Sequence, residues 1–372
     1  MNWPIPDIPQ KKSLSAPSSK FWLIALLGLI VAGAFFSIFI FHAENYIDIF
    51  INGALPCVLA WLCLLGIAWF RYEKSTNAAI LWEAQTQHTK SQWQRWAMWQ
   101  RPIVANIILC PEEKGSQSLI GELKDIPAYP EKCRALHNRL SDINARLKFL
   151  DEGIERESPG YRNDLYNIAV LKTNKHDTQS ISQAVFRQWD MIPDILSSFD
   201  DFYSGTESCT MKGMTLIIVL QDWPNAREGD YSEFITASLI CNLDVIKSDS
   251  LNIRAGVGRF LHSESLIQSL DMLIEYNKLN GSDIKKVWLS GIEKADQIKL
   301  AQYADSNKWA LPSRHPFLVI NDSFGPAGPL SFPVSLSLLI DAAIKTEEMQ
   351  LLISGNRDKT YSLCLITRKL FT

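Results

Sequence analysis

Charge of one sign is missing from this chain. Its 37 Lys+Arg stand against 40 Asp+Glu, a net charge of -3 over 372 residues, so no basic field exists to attract phosphates and nucleic acid is not an expected partner. Cysteine is sparse: Cys57, Cys63, Cys110, Cys133, Cys209, Cys241 and Cys364 include no C-x-x-C pair. Neither a zinc site nor a disulfide framework is therefore expected, and a reducing compartment fits best. The six histidines, His42, His88, His137, His176, His262 and His315, show no metal-ligand spacing. No H-E-x-x-H, Walker loop, G-x-S-x-G or G-x-G-x-x-G stands in the required strand–helix context, so no metal and no cofactor are expected. The bare Gly256-Val257-Gly258 reads as a strand end.

Apolar residues, by contrast, are concentrated. Between Phe21 and Phe70, 39 of 50 residues are hydrophobic, and the remainder has ordinary globular composition. Residues 21–41 carry no charge over 21 positions, and at about 1.5 Å per residue they reach roughly 31 Å, enough to cross a bilayer. Residues 49–70 form a second uncharged run interrupted only by Pro56, which a membrane helix tolerates. The turn between the runs has no Lys or Arg, whereas Lys11, Lys12 and Lys20 precede them and Arg71 and Lys74 follow. That asymmetry predicts a two-span hairpin with both termini in the cytoplasm. A cleaved signal peptide is the competing reading, but the first run exceeds a usual h-region and lacks a small-x-small site.

The tail, residues 1–20, holds Pro4, Pro6, Pro9 and Pro17 and reads as disordered, with a short docking peptide as the alternative. Residues 71–100 lack Gly and Pro and could extend the second span as a juxtamembrane helix ending before Pro102. Trp93, Trp96 and Trp99, three apart, mark a face that either binds a membrane surface or partner or packs on its own domain.

Residues 101–372 read as a cytoplasmic α/β domain. Strands are expected at 103–109, 165–171, 214–220, 232–243, 287–289, 317–320, 351–354 and 361–367. Helices are expected at about 131–155, 178–189, 263–279, 294–308 and 331–344. Alternation of this kind implies a sheet covered on both faces, and the last two strands should form an antiparallel hairpin.

From Lys212 onward the layout resembles the thiolase-like superfamily, to which β-ketoacyl synthases belong. SEFITASLIC, SLDMLIEYNKLNGSDIKKVWLSGI, NDSFGPAGPLSFPVSLSLLIDAAIK and the closing ISGNRDKTYSLCLIT carry the resemblance. It implies a thiolase-like layered sheet and helix fold, and a homodimer. The family's chemistry does not transfer with it. Where its first catalytic His is expected stand Leu289-Ser290-Gly291-Ile292, and in place of the second stand Ser323 and Phe324. Cys209, in a polar loop, is the nearest candidate nucleophile. The resemblance thus implies fold without family catalysis, with a precedent in thiolase-like adaptors that escort lipase-type effectors of type VI secretion. The resulting expectation is a non-catalytic adaptor in a bacterial inner membrane, binding a protein partner such as a secreted effector.

Of the remaining motifs, Phe324 to Pro329 (FGPAGP) is the one to single out. Gly325 and Gly328 permit positive φ, Pro326 stiffens the turn, and a helix N-terminus comes next. The loop either cradles an anion or peptide carbonyl, or lets a buried helix start close to the sheet. The rival expectation is an acyl-transfer or lipid-acting enzyme with polar groups converging near Cys209, His262 or His315.

Overall fold

A computed structural model describes residues 3–40, 42, 44–120, 125–138, 140, 142–199, 213–223, 230–241, 252–356 and 358–368. They divide into two units, Ile5–Trp93 and Met1–Pro4 with Gln94–Thr372.

In the first unit, helix α1 spans Ser19–Phe39. A turn at Tyr46–Ile49 and a π-helical turn at Phe50–Ala54 lead into α2, Leu55–Ala97, whose last residues belong to the second unit. Pro56 follows directly on the π-helical turn, inside one continuous helix Tyr46–Ala97, so its missing N–H leaves a carbonyl of the preceding turn without its usual helical donor. Both apolar segments are long enough to cross a membrane. They approach backbone to backbone: a Cβ on Gly33 would meet the Gly53 carbonyl at 2.6 Å and Cys57 Sγ at 2.7 Å. Trp61 Nε1 donates to the Trp22 carbonyl at 2.8 Å. The described residues of the proline-rich tail, 3–18, have neither helix nor strand. It lies along α2, with Trp82 Nε1 donating to the Pro9 carbonyl and Leu14 N to Ser75 Oγ, both at 3.0 Å.

The second unit is built on one mixed sheet. Its elements in chain order are β1 Arg101–Leu109, α3 Ile143–Glu157, β2 Leu165–Lys172, α4 Thr178–Trp189, β3 Asp194–Leu196, β4 Met214–Gln221, β5 Phe234–Ile240, β6 Ala255–Val257, β7 Leu261–Ser263, α5 Leu266–Tyr276, β8 Lys286–Ser290, α6 Lys294–Ser306, β9 Leu318–Val319, α7 Ser331–Thr346, β10 Gln350–Gly355 and β11 Tyr361–Thr367. The strand order is β3-β2-β4-β5-β1-β6-β11-β10-β8-β9, with β7 pairing β11.

That order contains a duplication. In the first half β2 is parallel to β3 and β4, while β5 runs antiparallel to β4 and β1. In the second half β8 is parallel to β9 and β10, while β11 runs antiparallel to β10 and β6. The halves join where β1 meets β6 antiparallel, at Arg101–Val257, Pro102–Gly256 and Ile103–Ala255. Helices keep to the same plan, with α3 and α5 after each first strand and α4 and α6 after each second. The third helix of the second half is α7, and ten of its 16 residues are buried. It packs with Ile103, Ile217, Val219 and Ile240 of the first half and Trp288, Leu352, Cys364 and Ile366 of the second. Each of those large side chains contributes roughly 1.5–3 kcal/mol by leaving water. The other face of the first half is covered by α3 and α4 through Leu147, Leu150, Ile154, Ile181 and Val185.

Several expected boundaries move. The described residues 131–138, 140 and 142 are not helical; Glu233 N donates to the Arg134 carbonyl at 2.9 Å, and Leu136 N donates to Glu233 Oε2 at 3.0 Å. Those bonds hold the segment extended against the start of β5, so the Leu periodicity there marks burial rather than helix. Helix α2 stops at Ala97 because Arg101 and Pro102 already belong to β1, which leaves Trp99 outside the helix. FLVI supplies only two strand residues before Ile320–Phe324 turns helical.

Candidate functional site

In open α/β sheets, ligands bind where the connections from neighbouring parallel strands diverge beyond the carboxyl ends. Here that place lies between β8, whose chain leaves for β9, and β10, which receives the chain from β9. Gly291 comes after β8 at φ +65, and Gly355 ends β10. A Cβ on Gly291 would meet the Gly355 carbonyl at 2.8 Å, and one on Gly355 the Gly291 carbonyl at 2.5 Å. The two glycines let the strand ends close on each other. Asn321 secures the junction by accepting from Gly291 N at 2.7 Å and donating to the Gly325 carbonyl at 3.3 Å.

A cleft of about 810 Å³ opens here, lined among others by Gly291, Asp296, Lys299, Gly328, Asn356 and Tyr361. Three of its polar groups are bonded to one another. Lys299 Nζ donates to Asp296 at 2.7 Å, and the Tyr361 hydroxyl donates to the other carboxyl oxygen at 2.6 Å. The Lys299 contact first, then Tyr361, holds the Asp296 carboxyl below its usual range, while donation to Asp296 pushes the Tyr361 hydroxyl up to about 12. Among the described residues, no cysteine and no histidine lines the cleft.

The FGPAGP loop is shared between this cleft and the first half of the sheet. Gly328 lies against the side-chain amide of Gln221, the last residue of β4. That amide accepts from Leu330 N at 2.9 Å and donates to the Ser232 carbonyl at 3.2 Å. Ser232 Oγ in turn donates to the Phe324 carbonyl. Gly325, at φ +92, faces the Lys132 carbonyl and Ser232 rather than the cleft, and Pro326 is half-buried beside it. The loop therefore docks α7 between the two halves and offers only Gly328, with Ala327 and Pro329, to the cleft.

The tryptophans lie elsewhere. Trp96 and Trp99 both face the Arg259 guanidinium, at 4.0 and 4.9 Å from the ring centroids, whereas Trp93 belongs to the first unit. Of the other candidates, Cys209 falls outside the described residues. His262 Nδ1 shares a 2.7 Å hydrogen bond with Ser362 Oγ beneath Phe332, and His315 is exposed on a loop. Every described cysteine of this unit is held protonated: burial pushes Cys110 up to about 12, Cys241 to about 11 and Cys364 well above its ordinary range. Burial also raises Cys133, with Asp230 adding to it. None presents the lowered pKa of a thiolate nucleophile.

Comparison with solved structures decides the fold. A type II PKS ketosynthase in complex with its acyl-carrier protein aligns with TM-score 0.53 at 10% identity, over 73% of this chain and 99% of that one. Human mitochondrial 3-ketoacyl-CoA thiolase in complex with CoA gives 0.50 at 8%, over 73% and 99%. Cerulenin-bound OleA from Xanthomonas campestri gives 0.50 at 8%, over 74% and 98%. The fold is thiolase-like. No family model matches the sequence, and no curated protein matches it. The thiolase-like layout inferred from Lys212 onward therefore extends back through β1 into the first half. Sequence reasoning missed Gln221 and Ser232, polar residues that wire the thiolase-like loop; a lone polar side chain at a strand end carries no motif. The Gly291/Gly355 pair had a signal, each glycine standing just after a predicted strand.

Proposed function

We propose that this protein is a membrane-anchored, non-catalytic adaptor in which the thiolase-like domain binds a protein partner. The observation that carries this reading is the cleft at β8 and β10, whose described lining residues include polar and charged groups but neither thiol nor imidazole. Condensation through a thioester needs a thiolate nucleophile and donors placed on the developing oxyanion. Wall groups such as Asp296, Lys299 and Tyr361 spend their hydrogen bonds on one another instead. The two apolar helices support a place in a bacterial inner membrane, and the precedent of thiolase-like adaptors suggests a lipase-type effector of type VI secretion as the cargo. The full chain, purified in detergent, should neither condense nor hydrolyse acyl thioesters, and it should co-purify with a co-expressed effector. Thioester turnover abolished by Cys209→Ala would overturn the proposal.

A second reading, an acyl-transfer enzyme acting at the membrane, rests on the size of the cleft, which falls in the range that holds small ligands. It requires Cys209 to be alkylated at neutral pH far faster than an ordinary thiol. Labelling at an ordinary rate would remove it.

A further inference from the structure

The third residue of the chain is buried in the thiolase-like unit. Trp3 is 5% exposed, and its indole N–H donates to the Phe260 carbonyl at 3.0 Å, 257 residues along the chain. Its ring meets Trp96 edge to face, with centroids 5.7 Å apart at 90°, the geometry aromatic pairs favour. Trp96 is fixed in turn, because Arg259 lies over its face and donates through Nε to its carbonyl at 2.8 Å. Large apolar area, a satisfied indole N–H and a held aromatic wall are the features of an anchor-residue pocket. The ligand side is prepared as well: Pro4 restricts Trp3 to extended backbone, and Pro6 and Pro9 stiffen the segment after it.

We propose that Trp96, Arg259 and Phe260 form a peptide site for an aromatic residue followed by proline, filled in the resting molecule by Trp3 of the same chain. This does not depend on the adaptor reading. The Phe260 ring packs on Phe332, at the start of α7, with centroids 5.1 Å apart, and on Phe199 at 5.6 Å. Occupancy of the pocket therefore bears on the aromatic wall under α7.

The test uses the full chain in detergent, with a fluorescent peptide of sequence Met-Asn-Trp-Pro-Ile-Pro as the probe. A W3A variant should bind it saturably, with Kd at or below about 1 mM, and a probe with Ala for Trp should bind at least about tenfold weaker. Wild type should bind the probe several-fold more weakly than W3A, because a tethered copy competes at an effective concentration in the mM range. A folded W3A that ignores the probe, or a wild type that binds it equally well, overturns the proposal. A wild-type dimer that W3A dissociates would place the tail of a second copy in the pocket and overturn the assignment to the same chain. Should W3A not fold, 5-fluorotryptophan at position 3, assigned by its loss in W3F, gives a second readout. Its fluorine signal should resist a soluble paramagnetic agent, and strong relaxation refutes burial.

Discussion

Cys110 offers a sharp test of whether the thiols of the thiolase-like unit are silent. It sits at the end of β1, 5% exposed, with its thiol directed to the Glu112 carbonyl at 3.0 Å. Burial raises its pKa from 9.0 to about 12. At pH 8 the thiolate fraction is then on the order of 10⁻⁴, against about 10⁻¹ for an ordinary thiol. Iodoacetamide labelling followed by mass spectrometry should therefore proceed roughly a thousandfold more slowly in the native protein than in denaturant. Stability is linked to the same shift: a thiol kept protonated by the fold contributes fully below about pH 9, and the contribution is lost as pH rises towards about 12. By pH 11 the loss is on the order of 2–3 kcal/mol. Cys110→Ala should flatten the fall in melting temperature between pH 9 and pH 11 relative to wild type. Native labelling within tenfold of the denatured rate, or parallel melting curves for the two proteins, would show the thiol to be accessible and the reasoning wrong.

The wiring of the fold dictates four further outcomes. Asn106 Oδ1 accepts from Ser238 and Ser337 at 2.7 and 2.8 Å, and its Nδ2 donates to the Ser337 carbonyl at 3.0 Å; Asn106→Leu strands buried groups at about 1–3 kcal/mol each and should lower the melting temperature sharply. Gln221→Ala removes the acceptor for Leu330 N at the start of α7 and should cost about 1–2 kcal/mol in thermal unfolding, the usual worth of a helix cap. Asp222 is fully buried between Arg146 and His176, so Arg146→Met, which strands a buried carboxylate, should cost about 3–5 kcal/mol, and Arg146→Met with Asp222→Leu should recover much of it. Gly33→Leu would drive a side chain into Gly53 and Cys57; at about 1–3 kcal/mol for overpacking, it should lower the detergent melting temperature, while Gly28→Leu, with open space around it, should not.

Legibility in the sequence varied with the kind of signal. The second half of the sheet was readable because α5 and α7 carry period-3.6 apolar faces and β10 and β11 are continuous β-branched or apolar runs. The duplication was not readable, since β3, β6 and β7 are three residues each and the halves share layout rather than side chains. Residues 131–142 misled because leucine spacing records only which residues are buried. Ser232 and Glu233 claim the backbone groups that a helix would have used. The glycine–proline loop is conspicuous in the sequence. That it docks α7 on Gln221 could not be inferred, because the partner lies 109 residues earlier in the chain.

The buried helix α7 also sets the order of events during synthesis. The first half of the sheet is complete once β5 ends at Ile240, yet the helix packed with its inner residues Ile103, Ile217 and Val219 begins at Ser331. About 90 further residues must be translated before that partner exists, roughly 5–20 s at ordinary ribosomal rates. Through that interval the emerging chain carries a β-rich apolar face without its permanent cover. The nascent first half is therefore exposed to aggregation until α7 arrives to cover that face.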